Sequence, residues 1–369
     1  MVLLVSNTAY NLYHYRRAVW QALLQQGNSV AALAAPDAYV EELRAAGIVF
    51  HPLPVLGDYR ATPTKALTLY RQLRRVYAEL RPAVILHFTI QANTVGSLVA
   101  SHLRLPSVAT ITGLGTTWLR TPRSRWLVSL LYRWTLPRAS AVVIQNQADQ
   151  AALTAAGVRG ARWQHIAGSG VDVDYYRPRT DTVLPPSRRF LYVGRMLIDK
   201  GIEELFTAWE LACRDSLVGE LHLVGERPPV HPRVIPSGIW EWGLRLPRVT
   251  MHPAQEDIRP HLLQSHFVVL PSYREGLSLT LLEALATRTP IITTLVPGCR
   301  ELIEQVRTGW GVPPHDPRAL ADALLDASRT EATTWQRMGQ NGRQLIERAY
   351  SAPVVAEQYV HLVRQLMVR

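Results

Sequence analysis

Short apolar runs rich in β-branched residues alternate with longer amphipathic stretches along this 369-residue chain. "MVLLVSN", "SVAALAAP", "AVILHF", "SVATITG" and "AVVIQN" read as buried parallel strands with periodic helices between them. The pattern stops at a polar, proline-bearing stretch, "YYRPRTDTVLPPSRR" (175–189), and then restarts. "RFLYVGR", "ELHLVGE", "VTMHP", "HFVVLPS" and "TPIITTL" form the second set of strands. Strand–helix alternation repeated on either side of a linker predicts an α/β protein of two doubly wound, Rossmann-like domains facing a cleft. The boundaries fall at 1–178 and 188–350, and 351–369, "SAPVVAEQYVHLVRQLMVR", reads as one more amphipathic helix. No repeat at solenoid spacing and no low-complexity segment interrupts this plan.

Composition narrows the setting. A hydrophobic content of 47% argues against disorder, and 369 residues suffice for two cores. Two cysteines, Cys213 and Cys299, make neither a disulfide framework nor a metal cage, and they fit a reducing compartment. No apolar run reaches membrane-spanning length, and "MVLLVSN" is too short for a secretory leader and reads as a strand. A net charge of +11 points to anionic partners. Almost all of that charge is arginine, the lysines being Lys65 and Lys200 alone. A coding bias towards arginine explains the total, and it makes a retained lysine at 200 worth weighing.

In doubly wound sheets ligands sit beyond the carboxyl ends of the strands. One predicted strand ends in Gly194-Arg195 and is followed by Lys200-Gly201, a close-approach glycine with two cations suited to a diphosphate. A second ends in Gly225. A third runs into "SYREGLSLTLLEALA", where Gly276, Leu277 and Ser278 lead into a helix whose free N–H groups suit a phosphate. Two carboxylates, Glu275 and Glu283, stand eight residues apart in that otherwise apolar run. A buried charge needs a partner. Glu283, placed about two turns into the helix, suits a pair of ribose hydroxyls, and Glu275 suits the hydroxyls of whatever the diphosphate carries. The competing reading is two structural glutamates paired with arginines. In the first half, Asn7 and Thr8 end the first strand, His14 lies at the start of the first helix, and His87 ends "AVILHF". Thr112, Gly113 and Gly115 in "TITGLG" follow another strand. "GSGVD" reads most simply as an interdomain turn. Each histidine is satisfied structurally at least as readily as by a ligand.

"GRMLIDKG", "LVGE", "LPSYREGLSLTLLEALA" and "TTLVPGCRELI", in this order, resemble the retaining glycosyltransferases of the GT4 family, which have the GT-B fold. "SNTAYNLYHYRR", "TVGSLVA", "VVIQNQADQ" and "GSGVDVDYYRP" extend the resemblance over nearly the whole chain. It implies an N-terminal acceptor-binding domain, a C-terminal nucleotide-sugar domain, and a last helix that crosses back to the first domain. It also implies that Arg195 and Lys200 bind the donor diphosphate, that Glu283 binds the ribose and that Glu275 approaches the donor sugar. Catalysis would rest on Arg195, Lys200 and Glu275 without a metal or other cofactor. Gly194, Gly225, Gly276, Leu277 and Ser278 would complete the donor site, with Asn7, Thr8, His14, His87, Thr112 and Gly113 towards the acceptor. "SYREG", "PGCRE" and "TITGLG" resemble the subgroup that extends sugars on polyprenyl diphosphates or assembles O-antigen and capsule units from UDP-sugars. Ser278, Leu279 and Thr280 stand where that subgroup has Pro-Arg-Ser, which leaves the donor sugar open.

The implied partners are a UDP-linked sugar, a lipid-linked glycan and the cytoplasmic face of an anionic membrane, with no nucleic acid. For the membrane the sequence offers "RTPRSRWLVSLLYRWTLPR" (120–138) and "YRQLRRVYAELR" (70–81), mixtures of arginine and aromatic residues. Both also fit ordinary layer helices with apolar faces on the sheet and arginines in water. Two alternatives of other classes remain. A UDP-sugar 2-epimerase of the same fold would turn over donor without acceptor. A nucleic-acid-binding module would show a salt-dependent gel shift, but diffuse arginine without a recognition motif is its only support.

Overall fold

A computed structural model describes residues 1–58, 62–114, 122–178, 187–229 and 231–368. The chain divides into two compact units, Met1–Gly170 with Ala352–Arg369, and Val171–Ser351.

The first unit holds a seven-stranded parallel sheet in the order β3-β2-β1-β4-β5-β6-β7. Its strands are β1 (Val2–Thr8), β2 (Val30–Ala35), β3 (Val49–Pro52), β4 (Val84–Phe88), β5 (Ser107–Ile111), β6 (Ala141–Ile144) and β7 (Trp163–His165). Strand β1 shows why a continuous apolar run makes a central strand. Successive side chains point to opposite faces, so Val2 and Leu4 enter one core while Leu3 and Val5 enter the other. Helices cover both faces. The helix Ala352–Met367 repeats apolar residues every three or four positions, and Val355, Tyr359 and Val363 share a core with Trp20 and Leu23 of the helix Arg17–Gln25.

The second unit holds six parallel strands in the order β10-β9-β8-β11-β12-β13. These are β8 (Arg188–Val193), β9 (Gly219–Val224), β10 (Val249–His252), β11 (Phe267–Leu270), β12 (Ile291–Thr294) and β13 (Gly309–Val312). From β8 the chain goes first to β9 on one side and later to β11 on the other. Strand order reverses there, and right-handed crossovers leaving β8 and β11 in opposite directions put the helices that follow them on opposite faces, the arrangement that opens a crevice at the carboxyl ends of these two strands.

All ten sequence-predicted strands are present, and three short ones join them. β3 and β7 are edge strands of four and three residues. β13 reads Gly-Trp-Gly-Val, and its pattern carries no apolar run. The boundary between halves also differs. Residues from Val171 to Pro178 belong with the second unit, because the Val171 N–H donates to the Tyr350 carbonyl and the Tyr176 hydroxyl reaches Glu283. Most of the expected linker, 179–186, lies outside the described residues.

Candidate active site

The crevice of the second unit collects the charged residues expected there. After β8 the chain turns through Gly194 and Arg195. Buried Tyr192 pins that turn by donating its hydroxyl to the Arg195 carbonyl at 2.9 Å. The turn lies hard against the end of β9, since a Cβ on Gly225 would stand 2.0 Å from the Gly194 carbonyl oxygen. The Arg195 side chain is exposed. A 3-10 turn, Ile198–Lys200, then leads to Gly201 at φ 70°. That left-handed backbone, with 2.1 Å between a would-be Cβ and the Pro271 carbonyl oxygen, admits only glycine. The turn is held from below as well. Asp199 is buried, takes the Arg233 Nε–H at 2.8 Å through Oδ1, and accepts the Tyr273 N–H at its carbonyl.

This close packing brings Lys200 to the loop after β11. Lys200 Nζ donates to Glu275 Oε1 at 2.5 Å, and Ser272 Oγ donates to the same oxygen at 2.6 Å. Both described donors converge on Oε1, leaving Oε2 to a further donor. An ammonium carries three N–H groups, so Lys200 keeps donors for a second anion. Gly276 and Leu277 make the turn that follows. The helix begins at Leu279 rather than at Gly276, because Ser278 is its cap: the Ser278 hydroxyl accepts the Leu281 N–H at 3.4 Å. The Ser278 N–H goes to the Gly298 carbonyl at 3.1 Å. Ser278 is buried, and its hydroxyl caps its own helix while keeping an O–H to donate.

Glu283 sits just over one turn into this helix, not two, and is buried. Its Oε1 accepts the Tyr176 hydroxyl at 2.8 Å. Burial disfavours the carboxylate and raises its pKa to about 7, partly offset by the Tyr176 hydrogen bond. Among the described residues no cation pairs with it, so a Glu283–arginine pair is not seen there. The other competing pairing is half present, with Glu275 held by a lysine.

The candidates of the first unit are more scattered. Asn7 and Thr8 end β1, but the Thr8 hydroxyl is occupied in capping the next helix through the Asn11 N–H at 3.1 Å. His14 is exposed within an aromatic cluster, its ring 4.3 Å from Tyr10, 5.2 Å from Tyr13 and 4.6 Å from Tyr39. Thr112 and Gly113 follow β5, Thr112 exposed and Gly113 half-buried, and Gly115 lies outside the described residues.

His87 is corrected outright. It is fully buried, with the Tyr77 hydroxyl 2.9 Å from Nε2 and the Ser97 hydroxyl 3.3 Å from Nδ1. Gly96 packs directly on the ring. Burial lowers its pKa to about 3, so it is a neutral core residue and not a ligand contact. A test follows from the sign. The unfolded histidine takes its proton near pH 6.5 and the folded one near 3, so stability is full above 6.5 and drains as pH falls towards 3. The loss should reach about 4 kcal/mol. His87→Gln should be less stable at neutral pH yet lose less on acidification, measured by urea unfolding at several pH values. Equal acid sensitivity in both proteins would overturn the assignment.

Two contributors to this crevice escaped the sequence reading. Tyr176 and Ser272 lie inside quoted motifs but show their roles only through the hydrogen bonds above. Thr89, just past β4 in the first unit, is a β-branched residue at φ 91°, with a buried hydroxyl that has no hydrogen-bond partner among the described residues. Strain of this kind concentrates at functional sites, and nothing in the sequence announces it.

Two doubly wound parallel units, the second presenting cations and carboxylates at its strand switch point, are the units of a GT-B fold. Residues 187–329 match the family described as glycosyl transferases group 1, and residues 14–170 match the glycosyl transferase 4-like domain. Together they span most of the chain, which belongs to the GT4-like glycosyltransferases. It is 23% identical to N,N'-diacetylbacillosaminyl-diphospho-undecaprenol alpha-1,3-N-acetylgalactosaminyltransferase of Campylobacter jejuni, over 97% of this chain and 96% of that protein. Among solved structures it is similar to sucrose-phosphate synthase of Thermosynechococcus elongatus, with a TM-score of 0.82, 22% identity and 100% and 99% of the two chains covered. It is also similar to Anabaena HepE, solved with UDP-glucose, with a TM-score of 0.77, 16% identity and 99% of each chain covered. These two structures support the fold.

Proposed function

We propose that this protein is a retaining glycosyltransferase. It moves a hexose or N-acetylhexosamine from a UDP-sugar to a glycan carried on polyprenyl diphosphate, in the assembly of a surface polysaccharide or a glycoprotein glycan. One observation carries the reading: Arg195 and the Lys200–Glu275 pair stand at the switch point, with buried Glu283 one helix turn behind. The spacing suits one ligand with a diphosphate in the middle, a ribose at one end and a sugar at the other. The Campylobacter relative, whose name specifies an undecaprenyl diphosphate acceptor, supports the lipid-linked glycan. The UDP-glucose held by the Anabaena neighbour supports the nucleotide.

In this reading the bond from the sugar's anomeric carbon to the β-phosphate oxygen breaks. A bond to the acceptor hydroxyl forms on the same face, and the acceptor proton passes to the departing diphosphate. Arg195 and the free donors of Lys200 neutralise the charge left on that diphosphate. Preorganised donors of this kind contribute most where charge develops. Glu275 Oε2 accepts from a sugar hydroxyl, and Glu283 Oε2 from the ribose. These roles call on no metal or other cofactor.

The experiment is a turnover screen of UDP- and GDP-sugars with a short polyprenyl-diphosphate sugar, the anomeric configuration of the product being read by NMR. One UDP-sugar is expected to be consumed only with acceptor present, and its configuration retained. Donor epimerised without acceptor, or a product of inverted configuration, would overturn the proposal.

A further inference from the structure

The two basic–aromatic stretches behave oppositely in the structure. In the helix Pro63–Leu80, Leu69, Leu73 and Tyr77 are buried while Arg71, Arg74 and Arg75 meet water, as in an ordinary layer helix. The helix Pro122–Thr135 has a second apolar face. Val128 and Tyr132 are buried against the fold, and the Ser129 and Thr135 hydroxyls return to carbonyls of the helix itself. The opposite side presents Trp126 at 65% exposure, Leu127 at 51%, Leu131 at 43% and Trp134 at 64%. At 100° per residue these four share one stripe. A helix apolar on both sides is one whose second side meets something other than water.

The charges around that stripe identify what it meets. The segment 120–138 contains no acidic residue. At the end of the helix an open groove of about 380 Å³ is lined by Arg133, Trp134, Arg138, Gly157 and Arg159. The Arg138 guanidinium lies 5.7 Å from the centre of the Trp134 ring and donates to the Trp134 carbonyl. Indole rings flanked by guanidinium groups match the boundary between acyl chains and anionic headgroups. A second copy of this chain would bring arginine against arginine. Among the described residues no helix is long and apolar enough to cross a membrane, so this contact would lie along the surface.

We infer that the outer face of the helix Pro122–Thr135 docks on an anionic lipid bilayer, with Trp126, Leu127, Leu131 and Trp134 entering the interface and Arg133, Arg138 and Arg159 engaging lipid phosphates. The inference stands apart from the transfer reading, and its test uses neither donor nor acceptor.

The test is flotation of the full chain with phosphatidylcholine vesicles, with and without phosphatidylglycerol, at about 0.1 M and about 1 M salt, where the screening length falls from roughly 10 to 3 Å. The parent should float with anionic vesicles at low salt and lose part of that binding at high salt. Trp126→Ser/Trp134→Ser should bind about tenfold more weakly or worse at both salts. Arg133→Glu/Arg159→Glu should lose binding chiefly at low salt. All four positions are exposed, so thermal unfolding should match the parent. Failure of the parent to float, or flotation of the tryptophan variant equal to the parent, would overturn the inference. So would self-association of the parent in place of flotation, abolished by the tryptophan substitutions.

Discussion

Replacing Arg195 with alanine is expected to lower turnover about 10²–10³-fold while leaving the fold intact. The side chain is exposed, and the local turn is held by Tyr192 through the Arg195 backbone carbonyl, which alanine retains. Stability should therefore move by no more than about 0.5 kcal/mol. Lys200 is different. Lys200→Met should lose turnover to a similar degree, but it also leaves the half-buried Glu275 carboxylate with Ser272 as its one described donor. Removing one member of such a pair destabilises beyond the value of the pair itself. Adding Glu275→Gln should restore stability, since a neutral amide needs no ammonium, without restoring turnover. Steady-state kinetics beside thermal unfolding separates the two roles. An Arg195→Ala enzyme within a few-fold of the parent would remove the diphosphate assignment. Recovery of activity in the Lys200/Glu275 double variant would show that Lys200 serves only the fold.

Glu283→Gln should produce a large effect of the opposite sense on stability. The ordinary glutamate pKa is 4.5, and burial raises this one to about 7. Below 4.5 both folded and unfolded chains hold the proton. Between 4.5 and 7 the folded carboxyl keeps a proton that the unfolded chain has released. Above 7 the folded protein must carry a buried carboxylate. The favourable contribution is thus full at low pH and lost as pH rises through 7. Glutamine does not titrate, so its advantage over the parent should grow from near zero at pH 4.5 to about 2–3 kcal/mol at pH 8. The site should suffer in return, with nucleotide binding weakened about tenfold to a hundredfold, the range for a lost hydrogen bond to a charged acceptor. In the parent, ribose hydroxyls would favour the carboxylate, so UDP binding should release a proton and strengthen as pH rises towards 7. Urea unfolding at pH 5 and 8, with calorimetric titration of UDP in two buffers of different ionisation enthalpy, reads both effects. A parent–variant stability difference independent of pH would refute the buried-acid account. Undiminished UDP affinity in the variant would refute the ribose assignment.

Much of this site was legible in the sequence because doubly wound sheets put ligands at strand ends, and strand ends are marked locally. An apolar run stops, a glycine follows, and polar residues appear. Gly194-Arg195, Lys200 and Glu275 carry that signature, and the structure sets them around one crevice. The same logic misplaced His87. A histidine at the end of an apolar run looks the same whether it lines a crevice or is buried under Tyr77 and Gly96. Ser278 carries a related ambiguity, since a helix cap and a phosphate ligand use the same hydroxyl at the same place.

What the sequence determined by itself is whatever depends on neighbours along the chain: ten of the strands, their parallel α/β order, two cores, and the carboxylates eight residues apart. β1 could be read alone because period two supplies both faces of its sheet at once. β3, β7 and β13 could not, because short edge strands are held by pairing with a neighbour and not by an apolar run of their own. Tertiary structure alone decided the partners across long separations. Tyr176 meets Glu283 across 107 positions and Lys200 meets Glu275 across 75, distances over which side-chain pattern carries no information. It also decided which face of a helix points inward. The helices Pro63–Leu80 and Pro122–Thr135 mix arginine and aromatic residues alike. Periodicity states that a face exists, but only packing against the sheet determines whether tryptophan or arginine is left facing the solvent.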